Sequence, residues 1–174
     1  MAKLRPASCY RRIKRAYTRK SKYRKKDFIR GVPGSKVVLY DVGAKDKTWQ
    51  YSLIMRAKEP VCIRSNAIES ARICATKYIE QTTGKTGFYL KVRAVPHQVL
   101  REHPMATGAG ADRFQQGMAH SYGKPYGLTA PVKKGKEILQ IFVNKENVGN
   151  AKEAMRKANN KIGIKTYLDI TELK

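Results

Sequence analysis

Acidic residues are scarce in this chain: thirteen Asp and Glu stand against thirty-seven Lys and Arg among 174 residues, a formal net charge of +24. Self-repulsion of that size opposes a compact state until a polyanion neutralises it, so nucleic acid is the first partner to consider. A membrane is the other polyanion, but it calls for a basic amphipathic helix or a lipid signal. The opening MAKLRPAS is not a myristoylation site, and no apolar run reaches membrane-spanning length. No apolar leader is visible either, so the expected location is the cytoplasm. Cysteine is equally sparse. Cys9, Cys62 and Cys74 make no even framework and no paired metal spacing, so reduced thiols are expected, two of them as small core residues.

Catalytic signatures are missing as well. TTGKTG contains a GKT triplet, but a phosphate-binding loop needs an earlier glycine where Ile79 stands, and it must follow a strand and open a helix rather than the reverse. GAGADR has Arg113 in place of the third glycine of a dinucleotide fingerprint, with no helix pattern after it. GMAHSYGKP has one residue too many between Gly117 and Gly123, and Pro125 replaces the hydroxyl residue. His97, His103 and His120 form no H-E-x-x-H, and no serine lies in G-x-S-x-G. No cofactor and no metal are expected.

What is present begins with a basic arm. Residues 1–30 carry thirteen cations against the single acid Asp27, so about half the net charge lies in the first sixth of the chain. Arg5, Arg11, Arg12, Lys14, Arg15, Arg19, Lys20, Lys22, Arg24, Lys25, Lys26 and Arg30, with Tyr10, are the candidate RNA-binding residues. Cations meet phosphates, while Tyr10, Tyr17 and Tyr23 can stack on unpaired bases. Such a segment buries too little apolar surface to fold alone.

Beyond Lys36 the texture changes. KVVLYDVG and WQYSLIMRA read as an antiparallel pair, and VCIR as a short apolar run. SNAIESARICATKYIEQTTG places Ile68, Ala71, Ala75, Tyr78 and Ile79 at helical spacing, with Asn66 and Glu69 as a capping pair and Gly84 as the stop. GFYLKVRAV alternates as a strand that Pro96 ends. KEILQIFVNK resumes strand character, NVGNAKEAMRKANNKIG is a second amphipathic helix with Val148, Ala151, Met155, Ala158 and Ile162 on one face, and IKTYLDI is a last strand. The expected fold is α+β, a mainly antiparallel sheet with two helices packed on it, sandwich-like, plus the arm and one long loop. The expected organisation is a single domain: arm 1–30, body 31–102 with 136–174, and loop 103–135.

That loop far exceeds the roughly 12 to 15 residues beyond which structureless connections are uncommon unless functional or disordered. It is rich in glycine (Gly108, Gly110, Gly117, Gly123, Gly127), with amides (Gln115, Gln116), cations (Arg113, Lys124, Lys133, Lys134) and aromatics (Phe114, Tyr122, Tyr126). Glycine permits close backbone approach, and Arg and Gln can bond sugar and phosphate, which suits insertion into a crowded RNA site.

RPASCYR, RGVPGSKVVLYDVG and above all GADRFQQGMAHSYGKPYGL resemble the archaeal and eukaryotic large-subunit ribosomal protein family called L-ten-e, counterpart of bacterial L-sixteen, over nearly the whole chain. The loop is longer than in bacterial members and lacks their dense Gly/Lys run. The resemblance implies a structural constituent of the large subunit, seated on its RNA near the aminoacyl-tRNA site among neighbouring ribosomal proteins. It implies further that the loop points toward the peptidyl transferase centre and tRNA. Carried over, the tRNA-proximal residues are His103, Gly108, Gly110, Arg113, Gln115, Gln116 and Gly117. Two rivals stay open: a free-standing basic nucleic-acid-binding protein, and an RNA-modifying enzyme with His103, Asp112 and His120 as its only candidate groups.

Overall fold

The run Tyr51–Ala57 forms strand β2, paired along both edges with β7 and β8, in a computed structural model that describes residues 5–13, 29–106, 108–120 and 122–173. The other strands are β1 (Asp41–Gly43), β3 (Val61–Arg64), β4 (Tyr89–Val92), β5 (Gln98–Glu102), β6 (Lys124–Val132), β7 (Glu137–Val143) and β8 (Thr166–Glu172). Two long helices, α1 (Ser65–Thr83) and α3 (Val148–Ile162), accompany them, with a single turn, α2 (Ala111–Phe114), between β5 and β6. Among the described residues every pairing is antiparallel, in a five-stranded sheet of order β1-β4-β7-β2-β8 and a three-stranded sheet of order β3-β6-β5. The expected α+β class holds, with the strands shared between two sheets.

Alternation fills the core. Leu53 and Met55 of β2 face the same side as Ile141 and Leu139 of β7, to which they are registered, and all four are buried. Ile68, Ala71, Ala75 and Ile79 of α1 join Ala151, Ala154, Met155, Ala158 and Ile162 of α3 in one cluster with these strands. Helix α1 also packs on β3 and β6, so it ties the small sheet to the large one. Both helices stop at glycines: Gly84 (φ +76) donates its N–H to Glu80 O and Gly163 (φ +66) donates to Asn159 O, each at 3.0 Å.

Four expectations are corrected. Strands β1 and β2 share a sheet without pairing, because β4 and β7 lie between them, and β1 lies against β4 so closely that a Cβ on Gly43 (φ +96) would fall 2.3 Å from Phe88 O. The Asn66/Glu69 capping pair does not form: Arg64 is the N-cap without a side-chain bond, and Glu69 accepts from Arg72 instead (Nε to Oε2, 3.0 Å). The strand expected to run on to Pro96 ends at Val92, and a further strand, β5, starts beyond it at Gln98. Residues 124–132 are strand β6, central in the small sheet despite Pro125 and Pro131. Pro131 stands opposite Cys62, whose N–H points away from β6 to Arg11 O (2.8 Å), so the ring removes no bond from this pair. Of the cysteines, Cys62 is buried, Cys74 half-buried and Cys9 exposed, all three as free thiols.

Candidate nucleic-acid interface

The start of the arm is docked, not loose. Residues Ala7–Tyr10 form a 3-10 turn, after which Arg11 O accepts the Cys62 N–H and the Arg11 guanidinium donates to Gly163 O at 2.9 Å. Arg5 donates to Glu102 on β5 at 2.5 Å, an ion pair that raises its already high pKa, while Arg5 O accepts from Arg64 Nη1 at 2.7 Å. Tyr10 stacks on Tyr126 of β6 with ring centres 6.5 Å apart, and burial pushes its phenol pKa up. Arg5, Tyr10 and Arg11 thus anchor the arm to the small sheet, leaving less of each for a partner than the sequence suggested. Arg12 and Arg30 are exposed, whereas Lys14, Arg15, Arg19, Lys20, Lys22, Arg24, Lys25 and Lys26 lie outside the described residues.

The expected loop narrows to residues 103–123, between β5 and β6. Its foot is fixed by His103, whose ring meets Tyr122 edge-on at 4.8 Å. Higher up, Gln115 brackets the two sides: Ala106 N–H donates to Oε1 (3.1 Å) and Nε2 donates to Ala106 O (2.7 Å). The amide expected to reach a partner therefore holds the loop in shape. Gly108, Gly110 and Gly117 take φ of +127°, +82° and +85°, and none would meet a neighbour through a Cβ, so conformation and not space explains the glycines. Gly110 caps α2, which presents Phe114 at 87% exposure, with Asp112, Arg113, Gln116, Gly117 and His120 also exposed. A bare aromatic ring beside an arginine can stack on a base or a tRNA end.

Ion pairs take up little of the charge. Glu59, Glu69, Glu80, Glu102, Glu137, Glu153 and Asp169 have cations within 4.0 Å. Arg56 Nε is 2.6 Å from Asp169 Oδ2, a charge contact out of line with its N–H. Even if all thirteen acids were paired one to one, the +24 excess would remain. Among the described residues no cluster of three His, Cys, Asp or Glu could hold a metal ion, and no helix is long and apolar enough to cross a membrane. Sequence reasoning passed over Arg64, read only as a strand end, and the pairing of Tyr10 with Tyr126. Neither has a local signal, because each depends on contacts between distant segments.

The family model for ribosomal protein L16p/L10e matches residues 18–168. The large ribosomal subunit protein uL16 of Methanococcus aeolicus is 47% identical over 168 residues, spanning 96% of this chain and 94% of that protein. Its namesake from Archaeoglobus fulgidus is 44% identical over 163 residues, 94% and 90% of the two chains. With a match across 18–168 and relatives this similar end to end, the chain belongs to the ribosomal protein L16p/L10e family.

Proposed function

We propose that this chain is a structural constituent of the large subunit of the cytoplasmic ribosome, in contact with its RNA and with neighbouring large-subunit proteins. Its basic arm, 1–30, binds ribosomal RNA near the aminoacyl-tRNA site through Arg12, Arg30 and the cations between them. The body, 31–102 with 136–174 and β6, is the rigid seat. The loop tip extends toward the peptidyl transferase centre, where Gly108, Gly110, Arg113, Gln116 and Gly117 approach tRNA and help position it, on a frame set by His103 and Gln115. Chemistry is left to the RNA, in keeping with a family of ribosomal proteins.

The observation that carries this reading is the contrast between a well-packed, small-loop body and one projecting turn that offers Phe114 and Arg113 at its end. Deleting 108–116 tests it. The variant should melt at the temperature of the intact chain and still assemble into large subunits, and those subunits should translate poorly; unimpaired translation contradicts the role given to the loop.

A further inference from the structure

Apart from the loop and the arm, the fold has a cleft of about 210 Å³ where the start of α1 meets the small sheet. Its lining includes the apolar Leu100, Leu128 and Tyr126 ring and the polar Arg64, Ser65, Asn66 and Lys36. A cavity of about 150 Å³ holds benzene, so this one has room for a single planar ring system and none for a duplex. The Tyr126 ring is held in place by its stack on Tyr10.

Among the described residues, two side chains at the cleft have a polar group without a hydrogen-bond partner. Arg64 directs Nη1 to Arg5 O, yet its buried Nε has no partner. Ser65, 6% exposed, borders the cleft, and no described residue hydrogen-bonds its hydroxyl. Arg64 as N-cap offers the first turn of α1 no side-chain bond, so that turn's amides are open to an anion. No acidic residue lines the cleft, and Lys36 adds a second cation.

We infer that the cleft receives one unpaired nucleotide of the ribosomal RNA, its base against Tyr126, Leu100 and Leu128 and its phosphate at Ser65, Arg64 and Lys36. The inference rests on the RNA-binding reading above and names a site for it. Among the described residues Asn66 is the only side-chain amide lining the cleft, so recognition there rests on stacking rather than on a base-specific set of donors and acceptors.

Gly127 supplies the test, because a Cβ there meets nothing within 4 Å and a β-branched residue suits a strand. Binding of the full chain to a large-subunit ribosomal RNA transcript, and to an unrelated RNA of equal length, is measured across a salt series. Gly127→Val, with its melting temperature unchanged, should weaken transcript binding about tenfold, the loss expected for one stacked base. Lys36→Gln should lower the slope of log affinity against log salt by about 1. Crosslinking of a 4-thiouridine transcript to the unaltered chain gives a second readout, expected at the peptide bearing Tyr126. Wild-type affinity in Gly127→Val, or crosslinks confined to other peptides, overturns the cleft while leaving RNA binding intact. Equal affinity of the unaltered chain for both RNAs overturns the ribosomal-RNA reading, and with it the assignment of a ribosomal RNA nucleotide to the cleft.

Discussion

Tyr89, buried outside the main core cluster, shows how a single side chain holds one edge of the large sheet. Its ring stacks on Phe142 at 5.3 Å and its hydroxyl donates to Asp41 Oδ1 at 2.6 Å, tying β1 to β4. Burial, then the bond to Asp41, pushes its pKa up to about 12. A tyrosine that is harder to ionise folded than unfolded contributes stability fully below its unfolded value near 10 and loses it as pH rises toward 12. Tyr89→Phe keeps the ring and the stack. It should cost about 1–2 kcal/mol at neutral pH, and chemical denaturation should show the two proteins converging between pH 10 and 12. Gln115→Ala makes a different test, since both bonds it loses are local to the loop. Amide exchange at Ala106 should quicken about tenfold or more while the body melts unchanged; an equal fall in global stability would make the bracket part of the core.

At the level of elements, the two long helices meet through small residues. Ala71 and Ala75 on α1 and Ala151, Ala154 and Ala158 on α3 are fully buried, and the helices pack directly on one another. Ala75→Leu should therefore overpack the interface and cost about 1–3 kcal/mol by thermal or denaturant unfolding. These helices were legible in the sequence because their 3.6-residue periodicity is strong and a glycine stops each one. Strand β6 was not, because Pro125 and Pro131 forbid a regular central strand, and only the register opposite Cys62 and the bulge at Leu100/Arg101 make room for them. Asn66 and Glu69 had capping spacing, but Glu69 gains a two-bond fork from Arg72 instead. In the loop, the glycines were readable as positions of positive φ. The inward duty of Gln115 was not, since its partner Ala106 lies nine residues away across a turn no local rule specifies.

For the whole molecule the governing quantity is the charge of +24, which the chain's own acids cannot neutralise. Affinity for RNA should fall steeply with salt, because each phosphate contact releases counterions. A single exposed cation matters little in such an array: Arg12→Ala should weaken RNA binding only a fewfold in a salt titration, whereas losing the whole arm should abolish it. The most direct test of the central claim is to fractionate a native lysate on a density gradient at low and at moderate salt and to follow this chain through the fractions. Membership of the large subunit predicts that it sediments with that particle and stays there at moderate salt; recovery as a free protein, or on DNA, would contradict it.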